Sequence, residues 1–293
     1  MSSEHAPIGI FDSGVGGLSV LREIMLQMPW ESVLYFADQG HVPYGPRRLE
    51  EVRGFSEAIT RFLLGLGAKL VVVACNTASA AALQHLRQTF PAIPFVGMEP
   101  AVKPAAESTR TGVVGVLATP ATFQGALYAS VVERFASGVT LLQDTCPGLV
   151  GQIEKGELDK PVTREILEKA LRPMLARGID TVVLGCTHYP FVIPLIQQII
   201  GPEVRVIDPA PAVARQTVRL LDAAGLRGTD SKVGTRLFFT SGEAARFEAQ
   251  LPVLLGQESR TPEFFNTIPG EENSKAWQVR QIEWDGNKIR CEF

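Results

Sequence analysis

Short apolar runs rich in β-branched residues recur along the chain, at 8–11, 33–36, 70–74, 94–96, 113–117, 139–142, 181–185 and 204–207. Helical patterns lie between most of them, and this alternation is the strongest constraint on the fold. Between 47 and 66 the apolar residues Leu49, Val52, Phe55, Ile59, Phe62, Leu63 and Leu66 form a stripe of helical period. Between 163 and 176 the stripe is Ile166, Leu167, Ala170, Leu171, Met174 and Leu175. Strands separated by such helices build βαβ units and a largely parallel sheet. Sites in these sheets form beyond the carboxyl ends of the strands, so the loops that follow the apolar runs are where chemistry is expected.

The chain also repeats itself. GAKLVVVACNT at 67–77 matches GIDTVVLGCTH at 178–188: a glycine ending a helix, a buried strand, then a cysteine at the same distance from that glycine and a polar pair. Earlier in each half, IGIFDSGVGG places Asp12 and Ser13 after a strand, and VVGVLATPAT places Thr119 and Thr122 after another. The expectation is an α/β protein of two similar α/β domains with central, mostly parallel sheets, related by a pseudo-twofold axis, with the site in the cleft between them. The chain is expected to cross near Met98 and return near Asp208. The domains are then 1–98 with 209–261, and 99–208. The tail at 262–293 is read as an extension in which WQVRQIEW and KIRCEF form a hairpin about an Asp-Gly turn.

Composition narrows the function classes. In 293 residues, 45% are apolar and 20% charged, and the net charge is −3 without a basic block. Nothing there favours nucleic acid or an anionic membrane surface. No apolar run approaches the about 18 residues of a membrane span. MSSEHAPIGIF lacks the basic and apolar regions of a secretory signal. Four cysteines in a chain this long do not make a disulfide framework. A reduced, cytoplasmic protein with free thiols is expected.

Two thiols at equivalent positions of two facing halves would point into one cleft, each at a helix start where the dipole and free N–H groups favour the thiolate. A reaction that takes a proton from one face of a carbon and returns one to the other face needs such a pair. The two groups exchange roles on reversal, so they should be alike. That is the logic of cofactor-independent racemisation. Plainer readings apply elsewhere. Cys146 in DTCPG and Cys291 in the tail read as structural, and His5, His41 and His85 as surface or structural. C-x-H at 186–188 falls short of a zinc ligand set. GVGG at 14–17 is not a G-x-G-x-x-G phosphate loop. Its glycines read as letting the backbone turn past a small ligand.

GIFDSGVGGLSVLREI, YFADQGHVPYG, VVACNTAS, VVLGCTHYPF and FFTSG together resemble the glutamate racemases of the aspartate/glutamate racemase superfamily, from about residue 8 to 256. The resemblance implies a two-domain enzyme, a homodimer by family habit, that interconverts L- and D-glutamate without pyridoxal phosphate or metal and supplies D-glutamate for peptidoglycan. It implies Cys75 and Cys186 as the acid/base pair, with Cys75 acting on D-glutamate. Asp12 and Ser13 become contacts near the substrate amino group, with Asp12 also assisting Cys75. Pro43, Tyr44 and Gly45 become clamps, and Asn76, Thr77 and Thr187 donors to the carboxylates. Thr119 and Thr122 fall in a substrate loop, while His188 tunes Cys186 with Glu154 beside it. Two other readings stay open: an enzyme for a shorter acid such as aspartate, and a binding protein that kept the fold.

Overall fold

The structure, a computed structural model, describes residues 5–228, 233–256, 278–285 and 288–290. The chain first lays down β1 (Ile8–Asp12), β2 (Val33–Ala37), β3 (Leu70–Val73) and β4 (Phe95–Gly97). It then builds a second sheet from β5 (Val113–Ala118), β6 (Thr140–Asp144), β7 (Thr181–Gly185) and β8 (Arg205–Ile207). It returns to the first sheet with β9 (Arg236–Thr240) and β10 (Gln278–Gln281), and closes with β11 (Glu283–Asp285) and β12 (Lys288–Arg290). The first sheet runs β10-β9-β2-β1-β3-β4 and the second β6-β5-β7-β8. Every pairing within both sheets is parallel. The first four strands of each half therefore stand in one order, second-first-third-fourth. This makes the sequence repeat a repeat of topology.

The central strands β1, β2, β3 and β7 are buried along their whole length, as continuous apolar runs in a parallel sheet require. Alternation then assigns the faces. Ile8, Ile10, Tyr35, Leu70 and Val72 enter one core, while Phe11, Leu34, Phe36, Val71 and Val73 enter another on the opposite face. The first of these cores runs on without a break into Leu117, Val182 and Leu184 of the second sheet. The helix Leu49–Gly65 buries Val52, Ile59 and Leu63 of the expected stripe. Two polar residues on its buried face turn inward on the helix: Ser56 Oγ donates to the Val52 carbonyl and Thr60 Oγ1 to that of Ser56.

The glycines that open the two repeat units do the same job. Gly67 and Gly178 have φ of 87° and 78°, a left-handed conformation that L side chains rarely adopt. Gly67 N–H reaches the Leu64 carbonyl and Ala68 N–H that of Leu63; Gly178 and Ile179 bond in the same pattern to Leu175 and Met174. These are paired Schellman ends that feed β3 and β7.

The tail differs from its sequence reading. Its first arm splits. Gln278–Gln281 joins the open edge of β9 in parallel, and Ile282 N–H donates to the Thr240 carbonyl. Among the described residues, Glu283–Asp285 alone pairs with Lys288–Arg290 as a hairpin. An edge strand offers unpaired N–H and C=O groups, and β10 pairs with those of β9. The Gly286 of the expected turn, and Cys291, lie outside the described residues. No described helix is long and apolar enough to cross a membrane.

Candidate active site

A cavity of about 380 Å³ lies against the carboxyl ends of both sheets. Its wall takes Ser13 after β1, Cys75 to Thr77 after β3, Thr119 after β5, Thr145 and Cys146 after β6, and Cys186 to His188 after β7. Pro43, Tyr44 and Gly45 close one side. Asp12, Thr122 and Glu154 are not in the wall, yet each bonds to a residue that is. Thr187 Oγ1 donates to Asp12 Oδ1 at 3.3 Å, Thr122 and Thr119 hydroxyls meet at 2.9 Å, and Glu154 holds His188. Thr77 and Thr119 hydroxyls, from opposite sheets, meet at 2.8 Å.

The two thiols are held differently. Cys75 is the N-cap of the helix Asn76–Thr89, and its Sγ accepts the Ala78 N–H at 3.4 Å. Its Sγ is 4.0 Å from Ser13 Oγ. Burial, followed by the charge of Asp12, raises the Cys75 pKa well above the ordinary thiol value, against the helix-start N–H. The helix start favours the thiolate at Cys75, as its place in the sequence implies, but one N–H···S bond does not offset loss of water beside a carboxylate. Cys186 is not followed directly by an α-helix. A 3₁₀ turn, Tyr189–Val192, with a proline in its first positions, comes first, and His188 stands at its start. Cys186 Sγ faces His188 Nδ1 at 3.8 Å instead.

His188 Nε2 lies 2.7 Å from Glu154 Oε1, both side chains nearly free of solvent. Burial disfavours the imidazolium. The hydrogen bonds and charges of Cys186 and Glu154 outweigh it and raise the His188 pKa well above the ordinary value. Burial likewise works against the Glu154 carboxylate, but His188, the Val15 N–H and Gln39 lower its pKa overall. Buried Asp12 is raised, first by desolvation, with His188 opposing.

The GVGG loop passes beside this pair. A Cβ on Gly14 would lie 1.9 Å from Glu154 Oε1, and one on Gly16 2.4 Å from His188 Nδ1. Val15 N–H, between them, donates to Glu154 Oε1 at 2.8 Å. The glycines therefore admit the side chains of the other half of the molecule, where the sequence reading had placed a small ligand.

The profile of the Asp/Glu/Hydantoin racemase family matches residues 19–217. The glutamate racemase of Ectopseudomonas mendocina is 52% identical over 264 residues, 90% of this chain and 100% of that protein. The chain belongs to this racemase family. Among solved structures, Escherichia coli glutamate racemase in complex with L-glutamate and the activator UDP-MurNAc-ala aligns at a TM-score of 0.77. It is 32% identical and covers 94% of this chain and 98% of that one. Francisella tularensis glutamate racemase in complex with D-glutamate aligns at 0.74, with 29% identity over 86% of this chain and 94% of that one. This chain is accordingly a glutamate racemase by family, an isomerase.

Several parts of the candidate site were not legible in the sequence. Cys146, read as structural, is in the cavity wall, in a backbone conformation of positive φ (42°). The run at 139–142 before it was the available signal, because its loop follows a strand. Gln39 and Gln250 gave no signal. Gln39 Nε2 donates to Glu154 Oε2 at 3.2 Å, and Gln250 Nε2 and Arg246 Nη2 donate to the Glu154 carbonyl. Asn76 is buried in the wall, and neither its Oδ1 nor its Nδ2 has a hydrogen-bond partner in the protein. Among the described residues, no group of three His, Cys, Asp or Glu side chains is arranged to hold a metal ion.

Proposed function

We propose that the chain interconverts L- and D-glutamate by passing the α-proton between Cys75 and Cys186. The observation that carries this reading is that both thiols line one small cavity, each beyond the end of a strand in the same place of a repeated topology. One Sγ, as thiolate, takes the proton from one face of Cα, and the bond's electron pair stays on the substrate. The opposite thiol delivers its proton to the other face. The product has inverted configuration, and thiol and thiolate have changed places, so the return reaction needs no further group.

The surroundings suit such a substrate. The relatives from Escherichia coli and Francisella tularensis hold L- and D-glutamate respectively. Asn76 offers an unpartnered amide, and Ser13, Thr77, Thr119 and Thr187 offer hydroxyls in the wall. His188, whose positive charge Glu154 supports, faces Cys186 Sγ at 3.8 Å. An incoming α-ammonium is the countercharge that favours the Cys75 thiolate against burial and Asp12. The same reading treats 1–98 with 209–261 and 99–208 as lobes that close over the substrate, in a cytoplasmic homodimer supplying D-glutamate for peptidoglycan.

The test is α-proton exchange in D₂O with L-glutamate, followed by NMR at Cα and by optical rotation. The protein should exchange and racemise. Cys75→Ser and Cys186→Ser should each lose roughly 10²–10⁴-fold in racemisation, the usual contribution of one acid/base group. Wild-type turnover in either variant refutes the two-thiol reading, and exchange with aspartate but not glutamate reassigns the substrate.

A further inference from the structure

The C-terminal strand and hairpin reach the cavity at second hand. Pairing of β10 with β9 brings Ile282 into the core and Trp284 against the loop that follows β2. Trp284 meets the His41 ring edge-on at 4.7 Å, Phe55 at 5.7 Å and Phe36 at 6.3 Å. His41 also stacks on Phe55 at 4.2 Å, which leaves its ring held between two aromatic side chains. Its Nδ1 lies 2.8 Å from Asp38 Oδ1. The other carboxylate oxygen, Asp38 Oδ2, accepts the Tyr44 hydroxyl at 2.5 Å, while Ser241 donates to Oδ1. Tyr44 and its neighbours Pro43, Gly45 and Pro46 are cavity wall. Residues 38–48 form turns and irregular backbone, with no strand ladder to hold them. Asp38 N–H donates to the Asp12 carbonyl and Arg47 Nε to that of His41, and the side-chain contacts around His41 and Asp38 add to these. The other parts of the tail are seated too: β12 lies against the helix Leu49–Gly65, and β10 against the helix Ala244–Leu255.

We propose that the C-terminal strand and hairpin are a positioning element for the loop at 38–48, acting through Trp284. Trp284 fixes His41, His41 and Ser241 orient Asp38, and Asp38 holds the Tyr44 hydroxyl and so the stretch of cavity wall to which Tyr44 belongs. The role assigned to the tail rests on the reading of this cavity as the glutamate site. The chemistry between the thiols does not pass through Trp284, so its loss acts on substrate binding and leaves proton transfer in the bound complex nearly unchanged.

The experiment compares the full chain with Trp284→Ala and Trp284→Phe, measuring kcat and KM for glutamate and thermal midpoints. Trp284→Ala should raise KM about threefold to tenfold, the size of a lost aromatic contact, with kcat within about twofold of wild type. Trp284→Phe keeps an aromatic edge on His41 and should restore most of the loss. If Trp284→Ala does not fold, His41→Leu removes the facing ring and must show the same rise in KM. A KM within about twofold of wild type in Trp284→Ala, or a joint fall of kcat and thermal midpoint that phenylalanine does not rescue, overturns the inference. A wild-type chain that does not turn over glutamate overturns the functional reading as well. An active wild type with an unaffected variant overturns this inference alone.

Discussion

Gly16→Ala isolates the approach of the GVGG loop to His188. Gly16 is not among the glycines with positive φ, so its backbone would accept a side chain and only contact decides the outcome. The added Cβ would stand 2.4 Å from His188 Nδ1, 2.7 Å from Cε1 and 2.7 Å from Thr187 Oγ1. Ordinary contact begins near 3.4 Å, so the ring or the loop must retreat by roughly 1 Å. The ring cannot retreat freely, because it is buried and its far nitrogen is held by Glu154 at 2.7 Å. The loop cannot either, because Val15 N–H is bound to the same carboxylate. Overpacking of this kind costs about 1–3 kcal/mol of stability. A misplacement of about 1 Å at a reacting group costs about 10²-fold in rate. We therefore expect Gly16→Ala to fold with a lowered thermal midpoint and to lose about 10²-fold in kcat. The assay is racemisation of each glutamate enantiomer by circular dichroism. The enantiomers have equal free energy, so kcat/KM must fall equally in both directions, while kcat and KM taken singly need not. Gly54→Ala is the control. It sits in the helix Leu49–Gly65 with nothing within 4 Å, and should gain about 1 kcal/mol without loss of rate. A Gly16→Ala enzyme with wild-type kcat and thermal midpoint would refute the steric argument.

Further outcomes follow from the buried charges. Glu154→Gln removes the carboxylate that helps keep His188 protonated, so the alkaline limb of the kcat profile should move to lower pH; an unmoved limb would refute that role. In the wild type, the stability contributed by His188 is complete below about pH 6.5 and fades as pH rises through its raised folded-state value. That of Glu154 is complete above its ordinary pKa and is lost as pH falls through its lowered one. Away from the site, Lys69 Nζ pairs with Glu31 Oε2 at 2.7 Å, both side chains 2% exposed. Lys69→Met should cost about 3–5 kcal/mol in urea unfolding by leaving a buried carboxylate without its ion pair, and a loss under about 1 kcal/mol would contradict this.

The parts of the fold that were legible share a local cause. The strand runs appear where expected to within a residue or two, because a strand buried on both faces must be apolar throughout. The helix ends at Gly67 and Gly178 were legible because only glycine adopts their φ without strain. The tail misled because period-two alternation reads the same whether a strand pairs with its sequence neighbour or with a distant edge. β10 found β9, some forty residues away, and Trp284 came to rest on His41, which had read as a surface or structural histidine.

The sequence by itself determined the α/β class, the repeated strand–cysteine unit and the residue types of the site, because each rests on neighbours in the chain and on the period of burial. Only the tertiary structure decided what faces what: Glu154 and His188 against Gly14 and Gly16, Gln39 and Gln250 on Glu154, and Cys146 in the wall beside Cys186. It also decided the protonation bias of Cys75, which its helix would lower and its burial beside Asp12 raises. Spacing along a chain carries no record of which loops meet when two sheets pack, or of how much water their meeting excludes. Close approach and desolvation are properties of the assembled cleft.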